Sequence, residues 1–128
     1  MTITVGDRLP DGQLTEFVET ATEACSVGPN AFQVADLVRG KKIAIFAVPG
    51  AFTPTCSAQH LPGYVECASK FQEKGIDEIW CVAVNDAFVM EAWGRDQQVG
   101  GTVRMLADGS ALWTKALGLT LDLNARGL

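Results

Sequence analysis

The stretch VPGAFTPTCSAQH, residues 48–60, places one cysteine directly after a constrained turn. Pro54 suits the first position of a helix, where its missing N–H would have had no partner, and Thr53 then precedes the helix as its N-cap. Cys56 falls in the first turn, where backbone N–H groups lack intrahelical acceptors and the helix dipole adds partial positive charge. Both effects favour a thiolate. Cys56 is therefore a candidate nucleophile, and the open alternative is a small buried residue at a helix start.

Three further cysteines and the only histidine could take part in the same chemistry. Cys67 lies eleven residues beyond Cys56 on the same predicted helix, so about 16 Å separates them, whereas a disulfide needs Cα atoms within about 7 Å. We expect Cys67 and Cys25 to be structural, as unpaired cysteines usually are. His60 follows Cys56 by one turn, which leaves a Cys–His pair or a metal site conceivable. Its ring is nevertheless expected to point away from the first turn.

Strands and helices alternate around Cys56. The predicted strands are 43–48, 79–84 and 103–106, and the predicted helices are 54–74, 85–96 and 110–117. The first two strands are unbroken apolar runs, which is typical of strands buried on both faces of a parallel sheet. This order predicts an α/β fold with right-handed crossovers. Reactive groups in such sheets lie at the carboxyl ends of strands, and Cys56 lies just beyond one of them.

The residues before the first buried strand give weaker signals. Residues 1–12 indicate an irregular arm, 14–26 one or two edge strands, 27–30 a turn, and 32–38 a short helical turn that Gly40 ends.

Individual side chains add detail to the predicted helices. Pro62 lies inside helix 54–74 and lacks an N–H, so we expect a kink there. Asn85 or Asp86 should cap helix 85–96. The expected apolar stripes are Leu61, Tyr64, Val65, Ala68 and Phe71 on the first helix, and Phe88, Val89 and Trp93 on the second. Trp80, Trp93 and Trp113 should all pack in the core.

Length and charge bound the function. The chain has 128 residues, enough for one domain, and a net charge of −5. No cluster of basic residues exceeds Lys41-Lys42, which disfavours nonspecific nucleic-acid binding. The longest apolar run, 43–48, is far too short to span a membrane, and the N-terminus does not resemble a signal peptide. The cysteines lack zinc-site spacing, so we expect reduced thiols in a cytoplasmic protein.

The segment PGAFTPTC, residues 49–56, resembles the P-x-x-x-T-x-x-C motif of peroxiredoxins. The form with Gly-Ala-Phe-Thr-Pro-Thr is similar to the peroxiredoxin-5, or plant type II, subgroup. Five further segments also resemble this subgroup and occur in the same order: GPNAF, GKK, HLPGY, VNDAFVMEAWG and LADGSALWTKALGL. The resemblance implies a thioredoxin-like fold, with a mostly parallel sheet flanked by helices, and a thiol-dependent peroxidase of hydrogen peroxide and alkyl hydroperoxides.

By motif position, the resemblance implies roles for individual residues. Cys56 would be the peroxidatic nucleophile that becomes a sulfenic acid. Thr53 would orient the peroxide through its hydroxyl, Pro49 would shield the sulfur, and the backbone N–H groups of Thr55 and Cys56 would hold the peroxide oxygens. No metal or organic cofactor is required.

The resemblance also bears on how the sulfenic acid is reduced. Cys81 matches a second cysteine of plant-type members, but it lies about 10 Å along its strand from the strand's end. A bond to Cys56 would need local unfolding, so Cys81 is a weaker candidate for a resolving thiol than for a core residue. An external thiol such as glutathione, glutaredoxin or thioredoxin is expected instead. Ala51 and Phe52 could contribute to a homodimer.

One feature departs from the family pattern. Peroxiredoxins complete the site with an arginine on a later strand, which would follow LDLNARGL, and Arg126 precedes that position. Residues 1–128 are thus expected to form a single, truncated thioredoxin-like domain without the last strands and helix. Losing that contact would cost on the order of 1.5–3 kcal/mol. The alternative function is therefore a catalytically weak or inactive fragment that acts as a redox sensor or interaction module.

Overall fold

The computed structural model describes residues 2–128, which form five strands and four α-helices. In chain order these are β1 (Gln13–Val18), β2 (Gly28–Gln33), α1 (Val34–Val38), β3 (Ile43–Ala47), α2 (Leu61–Glu73), β4 (Glu78–Ala83), α3 (Ala87–Asp96), β5 (Arg104–Ala107) and α4 (Leu112–Leu117). A π-helical turn, Cys56–His60, leads directly into α2, and a 3₁₀ turn spans Asn124–Arg126. Within this described part, no helix is both long and apolar enough to cross a membrane.

The strands form one mixed sheet in the order β2-β1-β5-β4-β3. The predicted parallel pairing is confirmed for β3 with β4 and for β4 with β5. Strand β1 runs antiparallel to both β2 and β5. The carboxyl ends of the parallel strands β3, β4 and β5 therefore lie side by side, and the loop containing Pro49 begins there.

The prediction of a turn at 27–30 is wrong, because Gly28–Gln33 forms β2 and pairs with β1 along its whole length. Pro29 is tolerated because β2 is the edge strand of the sheet, where a missing N–H breaks no ladder on the outer side. The helical turn predicted from residue 32 begins at Val34 instead. Tertiary pairing thus overrides the local turn signal of Gly28 and Pro29.

Strand β3 was predicted to be buried on both faces, and this is also wrong. Phe46 is buried, but Ile45 is 37% exposed on the opposite face. The cause is the position of β3 at the sheet's edge, since only the face of Phe46 is covered by α2. The neighbouring β4 fits the prediction, because it lies between two strands and is buried from Ile79 to Ala83.

Two apolar clusters lie on opposite faces of the sheet. One packs α2 and α3 against Phe46, Cys81 and their neighbours, and the other packs α1 and α4 against Trp80 and its neighbours. The predicted packing of the tryptophans is confirmed, since Trp80 and Trp93 are fully buried and Trp113 nearly so. The apolar stripe predicted for helix 54–74 is likewise confirmed, because all five of its residues pack in the first cluster.

Helix α3 begins as predicted but uses a different apolar face. Asp86 caps it by accepting a hydrogen bond from the N–H of Val89 at 2.8 Å. Phe88, predicted to lie in the core, is 63% exposed. The buried face is instead Ala87, Met90, Trp93 and Gly94. A Cβ at Gly94 would lie 2.9 Å from the Cγ of Met105, so the glycine lets the helix approach the sheet closely.

Candidate active site

The turn between β3 and the helical segment is held by two hydrogen bonds. The Thr53 hydroxyl donates to the C=O of Gly50 at 2.8 Å, and the N–H of Ala51 donates to Asn85 Oδ1 at 2.8 Å. Phe52, between them, has a φ of +64°, a left-handed conformation that costs energy for a bulky side chain. The surrounding bonds hold this strained residue in place, so the turn has a defined shape.

Thr53 lies at the start of the helix as predicted, but its hydroxyl has a different hydrogen-bond partner from the one a helix cap would use. The C=O of Thr53 accepts from the N–H of Ser57 at 2.9 Å, which places Thr53 at the N-cap position as predicted. Within residues 2–128 its side chain accepts no hydrogen bond from a first-turn N–H, and the hydroxyl donates backwards to the C=O of Gly50. The N–H groups of Thr55 and Cys56 precede the first helical bond and have no protein acceptor among residues 2–128. They are free to bind an oxygen placed before the helix.

A kink was predicted at Pro62, and the residues just before it, Cys56–His60, form a π-helical turn, a feature that accompanies many helix kinks. In an α-helix the residue at position 62 would donate to the C=O of Ala58, and a proline ring there clashes with that carbonyl. The wider turn avoids the clash, and the N–H of Leu61 donates to the C=O of Cys56 five residues back. The turn therefore joins Cys56 to α2 without breaking the helix.

Cys56 itself is 5% exposed and packs in the apolar cluster that α2 and α3 form on the sheet. The adjacent Ser57 accepts a hydrogen bond from Trp93 Nε1 at 2.9 Å, which ties the start of the helix to α3. The hydrogen bond from Trp93 to Ser57 was not predicted, because no sequence motif indicates which residue an indole N–H will contact. Asn85 was considered only as a helix cap, although its position after a parallel strand could have indicated a role in the site.

Cys81 faces the same side of the sheet as Cys56 and packs in the same cluster, fully buried in β4. Burial raises the pKa of the Cys81 thiol to about 12, and the negative charge of a Cys56 thiolate contributes in the same direction. The Cys81 thiol is therefore almost entirely protonated at neutral pH. The structure thus brings the two cysteines to one side of the sheet but leaves Cys81 a poor nucleophile.

The other sequence candidates lie apart from this chemistry. The ring of His60 lies 5.0 Å from that of Phe46, centroid to centroid and tilted by 47°, and 5.8 Å from that of Tyr64. Cys67 is half-buried in a shallow groove of about 460 Å³ along α2, and Cys25 lies half-buried in the loop before β2. Within the described range 2–128, no hydrogen bond joins His60 to Cys56, and no three His, Cys, Asp or Glu side chains converge as metal ligands.

The arginines of the described chain are committed elsewhere or exposed. Arg104 pairs with Glu16 at 2.7 Å and Glu78 at 3.0 Å. It also lies over the ring of Phe32 on the face of the sheet opposite Cys56. Arg126 is exposed in the 3₁₀ turn. None of the hydrogen bonds that an arginine makes among residues 2–128 reaches Cys56.

Comparison with known proteins agrees with this geometry. Residues 4–127 match the Redoxin family model. Peroxiredoxin-2D of Arabidopsis thaliana is 48% identical over 126 residues, covering 98% of this chain and 74% of that protein. The structure of reduced Prx3 from Vibrio vulnificus in complex with H2O2 is 48% identical with a TM-score of 0.85, covering 95% of this chain and 72% of the other.

A third relative carries a different description. A Burkholderia cenocepacia structure, described provisionally as a thioredoxin reductase, is 65% identical with a TM-score of 0.97, covering 99% of this chain and 75% of that one. The present chain therefore spans about three quarters of the length of these three relatives.

The fold and a lone cysteine at a helix start define a thiol-redox protein of the thioredoxin-like class. The chain belongs to the redoxin family and, within it, to the peroxiredoxins, which are thiol-dependent peroxidases.

Proposed function

We propose that Cys56 is the peroxidatic cysteine of this peroxidase and acts on hydrogen peroxide and alkyl hydroperoxides. The observation that carries the proposal is the pair of free N–H groups, at Thr55 and Cys56, beside a buried thiol at a helix start. These donors favour a thiolate and can stabilise negative charge on a peroxide oxygen.

The proposed reaction uses only this thiol and the peroxide. The Cys56 thiolate attacks one peroxide oxygen, an S–O bond forms and the O–O bond breaks. The sulfur is oxidised to a sulfenic acid, which keeps the hydroperoxide proton, and the leaving alkoxide or hydroxide takes a proton from solvent. Thr53 is proposed to orient the peroxide by accepting a hydrogen bond from its O–H, because its own proton is given to Gly50. Pro49, exposed at the mouth of the turn, is proposed to limit access to the sulfur.

The test is the second-order rate of Cys56 oxidation by hydrogen peroxide, compared with free cysteine at the same pH. We expect a rate at least about 10²-fold higher, the amount that positioned backbone donors commonly supply. Cys56→Ser should remove the fast phase, and Cys67→Ser, a matched change on the same helical segment, should keep it. A rate equal to that of free cysteine would instead favour the alternative of an inactive redox sensor or interaction module.

We further propose that an external thiol, such as glutathione, glutaredoxin or thioredoxin, reduces the sulfenic acid. Support comes from Cys81, whose burial disfavours the thiolate that resolution requires even after the Cys56 charge has been lost. The external thiol attacks the sulfur, water leaves, and a second thiol reduces the resulting mixed disulfide. Turnover with each reductant should be unchanged in Cys81→Ser. A loss of turnover in that variant, with an intact oxidation step, would assign resolution to Cys81.

A homodimer through the active-site turn is proposed as well, because Phe52 leaves half its surface exposed and Ala51 is half-buried beside it. Light scattering at micromolar concentration should then give the mass of a dimer, and Phe52→Asp should give a monomer. Leu121→Asp, which alters an exposed apolar side chain outside the turn, is the matched control and should remain dimeric. A monomeric wild-type mass would reject the dimer.

We propose a cytoplasmic location, since four free thiols suit a reducing compartment. Fractionation of the source cells with an antibody to the native protein would test it, and recovery in an oxidising compartment would contradict it.

A further inference from the structure

One peptide group in the active-site turn is held on both sides by side chains. Its C=O, from Gly50, accepts from the Thr53 hydroxyl at 2.8 Å. Its N–H, from Ala51, donates to Asn85 Oδ1 at 2.8 Å. Asn85 follows β4 by two residues and lies 34 positions from Ala51 in the chain. An amide oxygen, a peptide and a hydroxyl thus form one continuous chain of hydrogen bonds.

Asn85 is the only side chain outside the turn that bonds to it, counting all hydrogen bonds among residues 2–128. Its amide is not used to cap α3, because Asp86 does so. The three residues are neighbours in space, since a Cβ at Gly50 would meet Thr53 Cγ2 at 3.5 Å and Asn85 Oδ1 at 4.0 Å, which is ordinary van der Waals contact. Gly50 is buried, and the other two residues are half-buried. The bond is therefore partly shielded from competing water.

We propose that Asn85 is a positioning residue that sets the direction of the Thr53 hydroxyl through the Gly50–Ala51 peptide. A peptide group is planar and rigid, so fixing the direction of its N–H also fixes the direction of its C=O. The C=O then holds the Thr53 proton, which leaves the hydroxyl lone pairs free to accept the O–H of a hydroperoxide. Hydrogen bonds in such a chain also polarise one another, which makes the C=O a better acceptor. The inference rests on the proposed role of Thr53.

Matched variants separate this role from general support of the fold. Asn85→Leu removes the acceptor at similar volume, and Asn85→Asp keeps an acceptor oxygen. Asn30→Leu is the control, because Asn30 is also half-buried and its side chain bonds only to nearby backbone carbonyls, those of Ser26 and Gly28. Each variant is assayed for oxidation of Cys56 by hydrogen peroxide and for its alkylation by iodoacetamide. Alkylation needs the thiolate but no hydroxyl acceptor, so the ratio of the two rates isolates the positioning effect.

We expect Asn85→Leu to lower that ratio about tenfold, the effect of one lost hydrogen bond, and Asn85→Asp and Asn30→Leu to leave it within about threefold. In a Thr53→Val background Asn85→Leu should add nothing, because both changes act through one hydroxyl. An unchanged ratio in Asn85→Leu, or an effect that multiplies with that of Thr53→Val, would overturn the inference.

A readout that needs no activity separates this inference from the proposed function. In NMR spectra, Asn85→Leu should speed hydrogen exchange of the Ala51 amide and shift the Thr53 methyl, whereas Asn85→Asp should do neither. If wild-type oxidation is no faster than that of free cysteine, the proposed function fails. These signals would still show whether Asn85 positions the Thr53 hydroxyl. An unchanged chemical shift of the Thr53 methyl in Asn85→Leu would by itself reject the positioning role of Asn85.

Discussion

Cys56 and Cys81 are both buried thiols on the same side of the sheet, 5% and 0% exposed. Their backbones differ. Cys81 lies inside β4, opposite Phe46 on one side and Met105 on the other, in ladders that occupy its backbone groups. Cys56 starts a helix, where its own N–H and that of Thr55 have no protein acceptor within the described chain.

The contrast shows that burial alone does not make a thiol reactive. Burial without donors disfavours the thiolate, which is why the pKa of Cys81 rises to about 12. Cys56 is almost as shielded from water, but it lies in the first turn of a helix, where N–H groups without an acceptor and the helix dipole favour negative charge. The difference between the two sites is one of secondary structure, a helix start against a strand interior.

Removing each sulfur gives the largest expected difference. Cys56→Ser should slow reaction with hydrogen peroxide on the order of 10³-fold or more, since positioning and donors then act on a hydroxyl. Cys81→Ser should stay within about threefold, apart from some loss of stability. Stopped-flow oxidation of both variants checks this. Equal losses would mean that the two thiols act together and would break the comparison.

The next largest effect is expected from the hydroxyl of Thr53, three residues before Cys56. Thr53→Val keeps the shape of the side chain but removes its bond to Gly50, and it should slow peroxide oxidation about 10²-fold. Thr53→Ser should recover most of the rate. Initial rates at several peroxide concentrations measure both. If valine were as active as threonine, the donors of the helix start alone would explain the difference from Cys81.

A smaller effect is expected from the π-helical turn. Pro62→Ala restores an N–H that can donate to Ala58, so the turn can become α-helical and rotate Cys56 relative to α2. We expect oxidation to slow about fivefold, a fraction of one hydrogen bond's effect. Gly63→Ala is the matched control, because a Cβ there meets no atom within 4 Å. Should both variants keep the wild-type rate, the shape of the turn would not matter to Cys56.

The smallest effect on the thiols should come from Glu78, at the opposite end of β4. Burial opposes its ionisation, but hydrogen bonds from Lys41, Trp80 and Arg104 outweigh it and lower the pKa of Glu78 to about 2. A lowered carboxyl pKa stabilises the fold above about pH 4.5, and this contribution is lost as the pH falls toward 2.

Urea unfolding at pH 6 and pH 2.5 tests this contribution. Wild type should lose about 1–2 kcal/mol of unfolding free energy through Glu78, after allowance for solvent screening. Glu78→Gln should lack that component and keep the wild-type oxidation rate at pH 7. A slowed oxidation in Glu78→Gln would show that the reactivity of Cys56 depends on the far end of the sheet, against the local account.

Local sequence patterns predicted those parts of the fold that depend on residues or elements close together in the chain. The parallel pairing of β3, β4 and β5 and the cap at Asp86 were readable, because alternating elements and capping residues act locally. The exposure of Ile45 was not, since a strand's place in the sheet depends on pairings that no local pattern records. Gly28 and Pro29 misled for the same reason.

The site divides in the same way. The positions of Thr53 and Cys56 at the start of the helix could be predicted because capping depends on adjacent residues, and Pro62 was recognised as a disruption. That the disruption takes the form of a π-helical turn depends on how the chain relieves the clash. The bonds from Asn85 to Ala51 and from Trp93 to Ser57 link distant segments, so only the folded structure reveals them.

The most direct test of the contrast is to map which thiol is oxidised first. The native protein is treated with one equivalent of hydrogen peroxide in the presence of dimedone, and its peptides are analysed by mass spectrometry. We expect a dimedone adduct on Cys56 and none on Cys81. An adduct on Cys81, or a spread of adducts across all four cysteines with none favoured at Cys56, would contradict it.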